Sequence, residues 1–166
     1  MLVSPHRSGG ESVAVSTLDL IEHRLDRAAE ACGREGGRLT DIRRQVLALV
    51  LRSGEPVGAY ALLDQLKAEK ANATPATIYR ALDFLQAHGL IHKVERLNAF
   101  VGCVDAGEHH HHAVQFLICR HCGSVTEMED AGIAEAVERA AARTDFRPSL
   151  ATVEVEGTCA TCAASH

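Results

Sequence analysis

Apolar positions recur with a helical period through the first half of the chain and with a strand period through much of the second. Leu18, Ile21, Leu25, Ala28, Ala29 and Cys32 form one stripe, which predicts a helix over about 18–32. Gly36-Gly37 turns the chain. Ile42, Val46, Leu49 and Val50 predict a second helix behind Thr40 as N-cap, broken at Ser53-Gly54-Glu55-Pro56. A short third helix is expected over about 59–67. The sharpest pattern is the fourth: Thr74 as N-cap, Pro75 at the first helical position, and Ile78, Ala81, Leu82 and Leu85 facing inward from residues 76–87. Steps of about 100° put Tyr79, Arg80, Asp83 and Gln86 on the opposite face. Beyond Gly89, extended runs over 90–94 and 99–104, joined through Arg96-Leu97-Asn98, predict a hairpin. Helices followed by a hairpin is the winged-helix order.

The second half reads as strand, Cys-x-x-Cys turn, strand (113–118 and 124–127), then a helix over 130–142 with Ile133, Val137 and Ala141 on one side. A last strand over 150–156 alternates Val153 and Val155 against Glu154 and Glu156, as in a sheet with one wet face. The expected class is α+β: a winged-helix domain over 18–104, a hinge over 105–112, and a small α/β domain over 113–166 around an antiparallel three-stranded sheet. Residues 1–17, with Ser4-Pro5 and Ser8-Gly9-Gly10, read as a tail.

Composition narrows the function classes. The chain has 166 residues, 46% hydrophobic and 23% charged, which suits globular lobes. No apolar run approaches the roughly 20 residues of a membrane span and no leader is evident, so a cytoplasmic protein is expected. The net charge of -5 is uneven: residues 1–100 carry 13 Lys/Arg against 12 Asp/Glu, and residues 101–166 carry 4 against 10. The first half is thus left free to meet phosphate at basic spots such as Arg38, Arg43 and Arg44.

Four of the six cysteines form two pairs, Cys119-x-x-Cys122-Gly123 and Cys159-x-x-Cys162, separated by 36 residues. Two residues between thiolates let one knuckle aim both sulfurs at one ion, and two knuckles complete a closed, structural shell of four. Disulfides or a redox Cys-x-x-Cys are the alternatives, the latter wanting a βαβ context absent from the pattern. A second, dispersed set comprises His92, Cys103, His112 and Glu127. Taken singly, each is an ordinary polar residue. Together they offer N, S, N and O donors suited to tetrahedral Zn(II), at the junction between lobes. The run His109-His110-His111, after Glu108, reads as polar linker.

Several segments resemble the ferric uptake regulator family, and within it the zinc-responsive members. Arg38-Leu39-Thr40-x-x-Arg43, Ala59-Tyr60-Ala61-Leu62-Leu63, Ala76-Thr77-Ile78-Tyr79-Arg80-Ala81-Leu82 and Gly89-Leu90-Ile91-His92-Lys93-Val94 look like its DNA-binding half. His112, seven residues before Cys119-x-x-Cys122-Gly123, looks like its dimerisation half. The resemblance spans about 18–162. It implies a homodimeric regulator, mainly a repressor, that binds double-stranded operator DNA when a regulatory zinc site is filled. Tyr79 and Arg80 would meet DNA, supported by Tyr60 and Arg43. Two zinc ions per chain are expected, with no membrane partner, no small-molecule substrate and no enzymatic activity. Iron-type members place further His or Asp where this chain has Ala113, Val114, Gln115 and Phe116, and peroxide sensors use N/O donors only; Cys103 favours zinc. Asp41 stands where the family often has proline. A hydrolase or thiol-redox enzyme is the rival class, but four ready protein ligands leave no open coordination position. A zinc-binding interaction module without DNA affinity is the other.

Overall fold

A computed structural model describes residues 16–103, 114–149 and 151–165. Four helices come first: α1 (Thr17–Arg34), α2 (Asp41–Ser53), α3 (Ala59–Glu69) and α4 (Pro75–Ala87). A hairpin of β1 (Ile91–Val94) and β2 (Ala99–Gly102), joined by a 3-10 turn at Glu95–Leu97, forms the wing. Then follow β3 (Val114–Cys119), β4 (Val125–Met128), α5 (Ala131–Ala142), β5 (Thr152–Gly157) and α6 (Ala160–Ala164). No helix among the described residues is long and apolar enough to cross a membrane.

Local chemistry sets the boundaries. Helix α1 starts at Thr17, inside the stretch expected to be tail, because Ser16 and Asp19 form a reciprocal capping box. Thr74 and Thr77 do the same for α4, with Pro75 inside the first turn. Thr40 holds the cap position of α2 but makes no capping hydrogen bond; Asp41, in the first turn, complements the dipole instead. Gly54 closes α2 at φ 64°, a left-handed conformation that costs glycine little.

The inward stripes of α1–α4 meet in one core that includes Leu25, Leu62, Leu82, Leu85 and Ile91. A second, smaller core joins Val94 of the wing to Val114, Phe116 and Ile118 of β3, with Val101 and Val125 at its margin. The wing therefore belongs to both lobes. Phe116 is fully buried, an effect worth about 2–3 kcal/mol for such a side chain.

The sheet differs from the antiparallel one expected. Its order is β4-β3-β5, with β3–β4 antiparallel but β3–β5 parallel. Helix α5 and the segment after it return the chain to the start of β3, so β5 runs the same way. This direction is what brings the cysteine pairs together: Cys119 lies opposite Gly157 in the register, so both knuckles leave the same end of the sheet. An antiparallel β5 would separate them by about 20 Å, the length of six residues of strand.

The alternation along β5 turns Glu154 rather than its valines toward the wing. Glu154 stands in register with Phe116, on the face turned to the wing, whereas Val155 pairs with Leu117 on the outer face. Val155 and Leu117 remain 48% and 44% exposed. Period-two alternation identifies two faces but not which one is covered.

Candidate metal centres and nucleic-acid interface

The C-terminal end of β3 turns through a knuckle closed by the Gly123 amide donating to the Cys119 carbonyl at 2.9 Å. Cys159 occupies the N-cap of α6, and the Cys162 amide donates to its sulfur at 3.5 Å. The Cys159 amide donates to Cys119 Sγ at 3.4 Å. The four sulfurs lie within 4.8 Å of one another, Cys122 and Cys159 at 3.8 Å. A tetrahedron with bonds of about 2.3 Å has edges of roughly 3.8 Å, so the spacing suits four-thiolate zinc. Their protonation agrees. Amide donors from Cys159, Cys122 and His121 hold the Cys119 thiol down to about 5, and Ser124 lowers Cys122. Cys162 is pushed up to about 12 by its hydrogen bonds with Cys159 and Cys122. Four anions so close are sustained only by a cation; without one, the cluster keeps a proton.

The second constellation joins the lobes. His92 comes from β1, Cys103 follows β2 and is fully buried, and Glu127 comes from β4. Their donor atoms lie within 4.8 Å of one another. His92 Nε2 stands 3.5 Å from Glu127 Oε1, and Cys103 Sγ 3.9 Å from the same oxygen. Ligands about 2.0–2.3 Å from a common centre would stand roughly 3.3–3.8 Å apart, so these donors fit a shared zinc. The fourth expected donor, His112, lies outside the described residues, as do Glu108 and His109 to His111. The second set thus comes together in three of its four members.

Two residues given no role by the sequence pattern brace the elements around these centres. Arg24 of α1 donates to the Cys103 carbonyl at 2.5 Å. It lines a cavity of about 390 Å³ between the lobes, shared with Glu127, Ser124, Pro56 and Gly102. Gln115, only 2% exposed, donates to the Asp130 carbonyl and accepts from the Asp130 amide, both at 3.1 Å. It pins the cap of α5 to β3 at a position where iron-type relatives were expected to carry a metal ligand. Gln115→Ala should therefore destabilise the C-terminal half by about 2 kcal/mol, two buried hydrogen bonds being lost, read as an earlier denaturation midpoint. An unchanged midpoint would mean that α5 does not depend on this clamp. Neither residue has a motif to announce it.

On α4, Tyr79 is 43% exposed and Arg80 exposed, while Ile78, Ala81, Leu82 and Leu85 are buried. Tyr60, at the start of α3, is 69% exposed. Arg43 is placed differently from a freely extended contact. Its guanidinium lies 3.5 Å over the Phe84 ring and donates to the Arg38 carbonyl at 2.6 Å. His88 stacks on Phe84 with ring centroids 3.9 Å apart. Arg44 is held by Glu22 and Asp26, both at 2.8 Å. The expected basic spot is thus largely engaged internally. Arg43 secures the end of α4 from behind.

A winged-helix lobe meets, across a cluster of cysteine, histidine and carboxylate side chains, a sheet that carries a four-cysteine cluster, the build of a two-lobed winged-helix protein. The chain belongs to the ferric uptake regulator family, whose model matches residues 34–156. It is 37% identical over 138 residues to the zinc uptake regulation protein of Escherichia coli, covering 83% of this chain and 80% of that one. A zinc uptake regulator solved with zinc and DNA superposes with a TM-score of 0.82 at 34% identity, covering 87% of this chain and 96% of the other. Holo XcZur superposes at 0.77 with 44% identity, over 84% and 96%.

Proposed function

We propose that this chain is a zinc-responsive, DNA-binding transcriptional regulator of zinc uptake and homeostasis genes, acting mainly as a repressor in the cytoplasm. The observation that carries this is the convergence of His92, Cys103 and Glu127, because it ties the wing directly to the sheet of the other lobe. Likeness to a regulator solved with zinc and DNA supports the same reading. Two zinc ions per chain are proposed. Cys119, Cys122, Cys159 and Cys162 would hold one as a structural staple; His92, Cys103, Glu127 and His112 would hold the regulatory one. Zinc supplies there a divalent centre that a thiolate, imidazoles and a carboxylate can share without repulsion. The domain division proposed is a winged-helix domain over 18–104, a hinge over 105–112 and a dimerisation domain over 113–166.

The outer sheet face, with Leu117 and Val155 exposed, would pair with a second copy, so the operator is met by a homodimer. With the wing fixed, the two α4 helices would enter successive major grooves, half-sites lying about 10–10.5 bp apart. Tyr79 and Arg80 would contact bases or backbone there. Tyr60 stands ready from α3, and Arg43 acts by bracing Phe84. Arg80→Ala should weaken specific binding by roughly 1–3 kcal/mol if the guanidinium reads a base, checked by titrating operator against scrambled duplex. Unchanged sequence preference would remove that role.

The test is capture of genomic fragments by the purified protein, at buffered free zinc and again after mild chelation that spares the four-thiolate site. Selective capture of a few fragments with zinc alone supports the proposal and reveals the operator. Equal capture in both conditions, or none, overturns it.

A further inference from the structure

The inner face of the sheet carries a row of three cross-strand neighbours: Glu127 on β4, Phe116 on β3 and Glu154 on β5. All three face the wing. Glu127 belongs to the metal-ligating set, and Phe116 packs against Val94. Glu154, at the far edge, ends on the 3-10 turn at the wing's tip. Its carboxylate accepts from the Glu95 amide at 2.6 Å and from the Arg96 amide at 3.0 Å, one oxygen to each. Beside it, Arg96 Nε donates to Glu156 Oε1 at 2.6 Å. These contacts bridge 58 to 60 residues of sequence and involve no metal ligand.

We infer that Glu154 is a positioning residue: a metal-independent latch that docks the wing on the sheet and so presets the second metal site. A 3-10 turn presents unpaired amides at its start, and a carboxylate receiving two of them makes charge-assisted hydrogen bonds, stronger than neutral ones. The Arg96–Glu156 pair contributes less, because Arg96 is 64% exposed and such pairs are screened. A closed latch would hold the wing, and with it His92, against the strand that carries Glu127. With the latch open, metal binding must first dock the wing, and the apparent affinity falls by the fraction of molecules already docked.

The inference rests on the proposed regulatory site, so its test separates the two. Amide hydrogen exchange on the full-length protein, with the four-thiolate site filled and the second site empty, reads the latch without metal or DNA. Glu95 and Arg96 amides should be protected in the parent and exchange about tenfold faster or more in Glu154→Gln. Competition with a zinc chelator should then show about tenfold weaker affinity at the second site, with the four-thiolate site unchanged. Glu156→Gln, which leaves both amide bonds intact, should change each reading by less than threefold. Glu95→Pro approaches from the wing side. It removes one amide donor where Val94, extended at φ -93° and ψ 102°, tolerates a following proline, and it leaves the C-terminal half untouched should Glu154→Gln fold poorly. It should reproduce the Glu154→Gln result, and the double variant should add little to either. Unaltered exchange at the wing in both variants overturns the latch. Faster exchange with unaltered zinc affinity overturns its role in presetting the site. Loss of zinc-dependent DNA capture in the parent protein overturns the regulatory proposal alone.

Discussion

Replacing Cys119 with serine should dissolve the C-terminal half while the winged-helix half stays folded. The reason is how little core that half has. Among the described residues from β3 onward, all the buried ones lie on β3; β4, α5, β5 and α6 contribute none. A lobe so thinly packed depends on a staple. Structural zinc supplies about 10–16 kcal/mol of apparent binding energy in small zinc-folded peptides, as much as the net stability of a whole domain at about 5–15 kcal/mol. Cys119 is the sulfur that receives the Cys159 amide, so serine breaks both the ligand shell and the link to β5. The expected results are one zinc fewer per chain, a monomer in sedimentation, and helical signal retained from α1–α4. A variant that keeps its zinc content and sediments as a dimer would show the staple to be dispensable. Acid should imitate the substitution. The Cys119 thiol is held down to about 5 against an ordinary 9.0, so its contribution is full above 9 and is lost as pH falls through about 5. Zinc release below that pH, followed with a chromophoric chelator, checks the sign.

Cys103→Ser should leave the fold intact and abolish the zinc step in DNA binding. Cys103 is fully buried, and its carbonyl is already fixed by Arg24, so the smaller hydroxyl enters the same place without its thiolate. A serine hydroxyl keeps its proton at neutral pH and binds zinc poorly beside an imidazole and a carboxylate. Coupling between effector and ligand is typically about 1–3 kcal/mol, or roughly 5- to 150-fold in affinity. That ratio, measured as operator binding with and without buffered zinc, should collapse to near one. A preserved ratio would locate the metal response elsewhere in the molecule.

Much of this architecture is legible in the sequence where chemistry is local. The capping of α4 by Thr74 and Pro75, its buried stripe, and the two cysteine pairs all depend on residues within four positions of one another. The direction of β5 was not legible, because it is set by how a helix and a return segment close in space. Yet the constraint was available: two knuckles meeting at one ion require the preceding strands to end together, which only a parallel β5 allows. The polarity of the sheet misled for a related reason. Glu154 and Glu156 look like residues facing water, and only the wing, some sixty positions earlier, turns Glu154 into a capping ligand. The 3-10 form of the hairpin turn at Glu95–Leu97 and helix α6 were not legible, being too brief for any periodicity to show. The placing of Arg43 over Phe84 is likewise a matter of packing that its own neighbours in sequence do not announce.

That stack of Arg43, Phe84 and His88 has an evolutionary corollary. The end of α4 is anchored from its inner side, and Gly37 leaves room for His88, which a β-carbon there would approach to 2.5 Å. Tyr79, Arg80, Asp83 and Gln86 take no part in the stack and lie exposed. Substitutions among these four can accumulate without disturbing the anchor. If this face reads the operator as proposed, new operators become reachable by single surface changes, while the anchor that holds the helix is inherited whole.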